Sequence, residues 1–381
     1  MKRRIFREEH HIFREQVRRF VEKEIAPNYD KWEKDGICPR ELYLKAGAQG
    51  FLCPWVPEEY GGAGADFLYS VVILEELAQY PGVMFVLHSD VCAPYIYSYG
   101  TEAQKKKHLP GACSGENILA VAMTEPFAGS DLQAIRTKAE KKGDRYILNG
   151  SKTFISNGIL NNTVIVAAKT DLKAEKAYQG MSLFLVEDGM KGYKKVRKLE
   201  KIGLHSQDTA ELLFEDCEVP ADNLLGGEGK GFIYLMEKLQ QERLVCAIGG
   251  VAGMFGVLEL TRKYINERMA FGRTLSKFQW IRFKMAEMYT IAEVARAFVD
   301  RLIEEHIKGE DVVTETCMAK WWVTEMLKDI VDECLQFFGG YGYMEEYPIA
   351  RIYRDVRVNT IYAGTTEIMK ELISRRIPVS L

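Results

Sequence analysis

The chain carries no surplus of one charge. Its 381 residues include 51 Lys and Arg against 54 Asp and Glu, a net charge of −3. Nothing in that balance tracks a phosphate backbone, which argues against a nucleic-acid binder. Long apolar runs are missing too: the stretch from Val83 to Leu87 is far too short to span a bilayer. The eight cysteines include no C-x-x-C pair and the six histidines no H-E-x-x-H spacing, so neither a disulfide frame nor a metal site is indicated. Scattered thiols of this kind read as buried side chains in a reducing compartment. No G-x-G-x-x-G opens a helix after a strand, so a Rossmann cofactor site is unsupported. Neither a repeat nor a low-complexity tract appears. The basic start at Met1-Lys2-Arg3-Arg4 gives way to Glu8, Glu9 and Glu15, which fits neither a secretory nor a transit signal and points to the cytoplasm.

What is present is an ordinary globular composition, 47% hydrophobic and 28% charged. The length accommodates two or three domains. Three textures follow one another, giving an α+β expectation. Residues 1–118 are helical, with Ile5, Ile12, Phe13, Val17, Phe20 and Val21 at helix spacing. Residues 119–225 hold short strands: 119–123, 137–140 and 146–148 around the turn Lys142-Gly143-Asp144, then 163–167, 183–186 and 210–214. That texture predicts a small β-barrel or sandwich. Residues 226–381 return to long helices, one running to about Arg268, others near 275–305, 312–338 and 366–375. Short loops between long helices predict a four-helix bundle.

Two acids stand out from their surroundings. Phe232, Leu235, Met236 and Leu239 define an apolar helix face, and the same face continues at Glu242 and Arg243. Aiming charges into a buried stripe is costly unless the site is polar or functional. The plain alternative is a buried ion pair. Asp90 sits in the largely apolar helical segment 83–93, where burial would raise its pKa and fit it for general-base work. Its plain alternative is a structural acid satisfied by His88 or Ser89. The loop Thr124–Asp131 follows a strand and offers backbone N–H groups and hydroxyls to a pyrophosphate or a flavin edge. Gly249 and Gly250, inside a helix, read as permitting close packing.

Taken together, the segments resemble the acyl-CoA dehydrogenase family over essentially the whole chain. The resemblance is carried by AMTEPFAGSD (122–131), FISNG (154–158), ERMAFGR (267–273) with Gln279, QFFGGYGYMEEYP (336–348) and YAGTTEIMKELI (362–373). It implies a helical N-terminal domain, a middle β-barrel and a C-terminal four-helix bundle, with FAD between barrel and bundle. Met123, Thr124, Gly129 and Ser130 would line the flavin, and Phe154 and Ser156 would pack on and bond its ring. Arg268, Gln279 and the run Gln336, Phe337, Phe338, Gly339, Gly340 would hold the phosphate and adenine side across a subunit interface. Thr365, Thr366 and Glu367 would bind from the C-terminal loop. Ser130, Arg243, Tyr362, Ala363 and Gly364 would contact the acyl-CoA. A homotetramer, and an electron-transferring flavoprotein as electron acceptor, follow from the same resemblance.

The family chemistry needs a base for the α-proton and two hydrogen bonds to the thioester oxygen. Many members carry that base as glutamate in a Y-E-G-T loop, where this chain has Ala363. The long-chain and isovaleryl branches carry it on the first bundle helix in an L-x-x-E-R-L pattern, which matches Leu239 to Leu244. Glu242 is therefore the expected base. Asp90 raises a second substrate class: in alicyclic acyl-CoA dehydrogenases an aspartate in this region serves the ring. Straight medium- or long-chain and cyclohexane- or cyclohexene-carbonyl substrates both stay open, as do an acyl-CoA oxidase and a non-catalytic acyl-CoA- or flavin-binding protein.

Overall fold

The structure, a computed structural model, describes residues 3–377. The N-terminal third is helical: α1 (Glu8–Phe20), α2 (Tyr29–Asp35), α3 (Arg40–Ala48), α4 (Phe67–Glu76), α5 (Ala93–Tyr99) and α6 (Glu102–Ser114). Local chemistry sets several ends. Asp66 caps α4 by accepting from the Leu68 N–H at 3.0 Å. Thr101 and Gln104 form a reciprocal capping box on α6, which stops at Gly115 with φ +82°. Between α4 and α5 the chain passes through a π-helical turn, Leu87–Cys92.

The middle of the chain, where the sequence predicts a small β-barrel or sandwich, is a sheet domain of eight strands in a mixed ladder. They are β1 (Leu119–Ala122), β2 (Lys138–Lys142), β3 (Arg145–Ser156), β4 (Thr163–Lys169), β5 (Met181–Glu187), β6 (Tyr193–Lys198), β7 (Thr209–Pro220) and β8 (Leu224–Leu225). The ladder runs β6-β7-β3-β2-β4-β5-β8, with β1 parallel to β4 in the register Leu119 to Thr163. Buried on both faces, β4 and β5 are almost continuously apolar. β6, with four charged residues among its six, is not among the expected strands.

The last third holds α7 (Gly231–Glu267), a two-strand ribbon (β9, Met269–Ala270; β10, Arg273–Thr274), α8 (Gln279–Ile307), α9 (Val313–Phe338), α10 (Pro348–Val356) and α11 (Thr366–Ser374). The predicted long helices are α7, α8, α9 and α11; α10 is additional. A stretch of α7 reaches mean hydropathy 1.9, enough in length and composition to cross a membrane. Its apolar residues, among them Leu244, Ile248, Val251 and Met254, pack into one core with α4, α8 and α9. At Gly250 α7 and α9 approach closely: a Cβ there would meet Val323 Cγ1 at 2.7 Å.

Candidate functional site

The face of α7 drawn from the sequence is the face the structure buries. Leu235 and Leu239 are buried, and Phe232 and Met236 pack against the cluster that holds Leu235. Glu242 and Arg243 follow on it, each only 5% exposed. They are not an ion pair closed on itself. Arg243 Nη1 donates to Cys317 Sγ of α9 at 3.4 Å, and its Nε is buried without a partner among the described residues. Glu242 turns toward α5, where the Tyr95 hydroxyl donates to its Oε1 at 2.7 Å. Burial pushes the Glu242 carboxyl up to about 7, while the Tyr95 hydrogen bond and the charge of Arg243 pull it down. A carboxyl poised there suits general-base work near neutral pH.

Asp90 sits in the π-helical turn, not in the regular helix the pattern predicts. It is buried and accepts from Ser70 Oγ of α4 at 2.6 Å. Burial pushes it up to about 7, against hydrogen bonds from Ser70 and Trp55. The neighbours expected to satisfy it bond elsewhere. Ser89 Oγ accepts from the Cys53 N–H at 3.0 Å, and His88 Nε2 faces the Ala112 carbonyl at 2.9 Å. The two acids thus keep separate partners, although Gln241 Nε2 ties α7 to the turn through the Asp90 carbonyl at 2.7 Å.

The C-terminal loop before α11 is wound left-handed at two successive residues, Ala363 at φ +51° and Gly364 at φ +95°. The φ of Gly364 favours glycine, and a Cβ there would also have to displace Met369 Cε, which would stand 2.5 Å away. Lys320 of α9, fully buried, donates to the Gly364 carbonyl at 2.6 Å. α9 therefore touches both halves of the site: Cys317 meets Arg243, and one turn on Lys320 meets the loop. Tyr362 is partly exposed beside Ala363. Thr365 caps α11 through Ile368 N–H, Thr366 donates to Glu325 at 2.8 Å, and Glu367 is exposed.

On the sheet side, Met123 and Thr124 follow β1. Lys152 Nζ donates to the Met123 carbonyl at 3.0 Å and to Glu125 Oε1 at 2.8 Å, and the Thr153 N–H donates to Thr124 at 3.0 Å. Gly129 and Ser130 are exposed. Phe154 lies where the β3–β7 register shifts, at φ +59°, with its side chain 68% exposed. A bulge of this kind re-aims a side chain away from the sheet's own packing. Ser156 Oγ accepts from Gln207 Nε2. A separate cleft of about 580 Å³ gathers Arg268 with Gln336, Phe337, Phe338, Gly339 and Gly340. Gln279 opens α8 nearby, exposed, and is not among the residues lining that cleft.

Family comparisons match three stretches in order: the acyl-CoA dehydrogenase N-terminal domain over residues 7–116, the middle domain over 120–217 and the C-terminal domain over 229–377. The chain belongs to the acyl-CoA dehydrogenase family. It is 50% identical over 377 residues to the mitochondrial long-chain specific acyl-CoA dehydrogenase of Sus scrofa, covering 98% of this chain and 88% of that one. A crystal structure of an acyl-CoA dehydrogenase from Geobacillus kaustophilus matches with TM-score 0.98 and 56% identity, over 99% of this chain and all of that one. An acyl-CoA dehydrogenase from Bacillus anthracis complexed with FAD matches with TM-score 0.89 and 32% identity, over 97% of this chain and 66% of that one.

As an acyl-CoA dehydrogenase, the chain is an oxidoreductase that dehydrogenates acyl-CoA. Four residues of this site escaped sequence reading. Tyr95 is one of 19 tyrosines with nothing local to mark it. Lys320 did carry a signal, a lone cation between Ala319 and Trp321-Trp322-Val323 in a helical stretch. The Lys152–Glu125 pair, at 0% and 5% side-chain exposure, joins two strand-side motifs that are distant in sequence.

Proposed function

We propose that this acyl-CoA dehydrogenase acts on straight long-chain acyl-CoA, with Glu242 as the base that removes the α-proton. The observation that carries this reading is the buried, single-partnered carboxyl of Glu242, raised to about 7 on an otherwise apolar helix face. The half identity to a long-chain specific relative supports the chain-length class. The Ala363 backbone N–H serves as one donor to the thioester oxygen, its methyl group having no proton to give or take, and the Lys320 hydrogen bond to Gly364 fixes the loop that presents it. Arg243 orients the CoA thioester end, Ser130 and Tyr362 border the acyl-CoA, and Gly364 permits its close approach.

The residues fit FAD. The outward ring of Phe154, held off the sheet by its bulge, offers a surface for a planar ring system, with Ser156 beside it and Met123, Thr124, Gly129 and Ser130 on the adjoining loop. The Arg268–Gly340 cleft suits a nucleotide phosphate and adenine, with Gln279, Thr365, Thr366 and Glu367 as further contacts. When bound, FAD supplies the acceptor for the β-hydride. A homotetramer is supported by the apolar side chains left outside: Phe271 is 95% exposed, and Met269, Trp280 and Phe283 are each above half. An electron-transferring flavoprotein is the proposed electron acceptor.

Anaerobic bleaching of the flavin by a panel of straight, branched and alicyclic acyl-CoAs tests the reading. Palmitoyl-CoA should bleach the wild type fastest, and Glu242→Gln should slow that step by at least about a thousandfold. Asp90→Asn should leave it within a few-fold. Cyclohexanecarbonyl-CoA as the preferred substrate, lost with Asp90→Asn alone, would overturn both the substrate class and the base.

A further inference from the structure

We propose that Tyr95 is a positioning residue for the base: its hydroxyl holds one carboxylate oxygen of Glu242, leaves the other to take the proton, and sets the pH range in which the carboxylate works. This inference rests on the reading of Glu242 as the base and adds to it a residue from the N-terminal helical layer, 147 positions away in sequence.

Tyr95 is completely buried on α5, in the cluster that also holds Cys92, Ile96 and Leu235. Its ring has two torsions and packed neighbours on every side, so the hydroxyl is a fixed point. Glutamate has three torsions, and a single anchor on Oε1 removes most of that freedom. A fixed donor on one oxygen leaves Oε2 as the atom free to meet a carbon acid, which is the pre-organisation a proton transfer needs.

The surroundings make Tyr95 the group best placed to set the working pH. On α7, Arg243 and Cys246 face Glu242. From the π-helical turn comes Cys92. On α9, Lys320 and Cys317 face Arg243 and Cys246 rather than Glu242 itself. The thiols stay neutral, because burial pushes Cys92 upward and Cys246 up to about 11. Tyr95 stays protonated, because burial and the nearby Glu242 charge raise its pKa far above the ordinary phenol value. Its O–H is therefore a permanent donor, and donation to a carboxylate favours the ionised form against the desolvation that opposes it. Removing that donor must move the base upward.

The test uses the FAD-loaded enzyme and palmitoyl-CoA in anaerobic rapid mixing, following flavin reduction from about pH 5 to about pH 9. For Tyr95→Phe the acidic limb of the rate profile should move up by about one pH unit, so that below it the rate drops about tenfold. Site-specific replacement of Tyr95 by a fluorotyrosine, a stronger donor, should move the limb down, and it keeps the test open if the phenylalanine variant folds poorly. A limb that coincides with the wild type in these variants, with only its height changed, would leave Tyr95 as mere packing and end the proposal. Glu242→Gln separates the two levels: if that variant still bleaches with an unchanged pH profile, the base assignment fails and the Tyr95 role falls with it. If it is dead and the Tyr95 limb does not move, only the Tyr95 proposal fails.

Discussion

Glu242 and Asp90 both hold protons more tightly in the fold than in an unfolded chain, Glu242 up from 4.5 and Asp90 up from 3.8, each to about 7 through burial. A folded-state pKa above the unfolded value means that the native state binds more protons. The stability from each group is then fully present below the unfolded pKa and is lost as pH rises through about 7. A shift of this size corresponds to about 3–4 kcal/mol per acid at the upper limit. Asp90→Asn keeps an acceptor for Ser70 and abolishes the charge. Its urea-unfolding free energy should therefore gain on the wild type between about pH 4 and about pH 7. Parallel curves across that range would show Asp90 to be no such burden. At this scale the sequence was readable where periodicity applied. Glu242 betrayed itself by continuing an apolar stripe. The partner Tyr95 did not, because nothing in a linear chain records which of many tyrosines a distant helix will meet.

Single elements are fixed by close approaches that a pattern of apolar letters only partly reveals. Gly249 and Gly250 looked alike in sequence, yet a Cβ on Gly249 meets nothing within 4 Å while one on Gly250 strikes Val323 of α9. Gly249→Ala should raise stability by about 1 kcal/mol through helix propensity. Gly250→Ala should lower it by about 1 kcal/mol, because the overpacking exceeds the same gain. Opposite signs in thermal unfolding check this, and equal signs would refute the packing account. The sheet side has its own anchor. Glu125 accepts the Lys152 ammonium and the N–H groups of Arg136 and Thr137, at 2.6 and 3.0 Å for the two N–H donors. Glu125→Ala would strand a buried cation and should cost about 3–5 kcal/mol, together with weaker FAD retention on gel filtration. The π-helical turn at 87–92 and the strand at 193–198 lay outside sequence reading for a shared reason. One departs from helix period by an inserted residue, and the other is too charged to show alternation.

For the molecule as a whole, the order helical, sheet, helical was legible because period changes from 3.6 to 2 and back are long-range signals that short errors do not erase. The joining of those layers was not legible. Arg3 of the N-terminal layer holds Asp300 of α8 at 2.6 Å, and Arg40 of α3 reaches Asn162 by the sheet at 2.8 Å. Such links tie the layers around the site, so the helix that carries Glu242, the tyrosine that meets it and the C-terminal loop come from three separate stretches of chain.

All eight cysteines are free thiols, and seven are buried, spread from Cys38 to Cys334 through every layer. That distribution turns an alkylating reagent into a clock for breathing. Iodoacetamide should label Cys246 first and leave the remaining seven nearly silent, each then reacting only as fast as its own neighbourhood opens. Mass spectrometry of the time course would draw a map of where this enzyme loosens, and whether a bound acyl chain stills Cys92 and Cys246, the two thiols that feel the Glu242 charge.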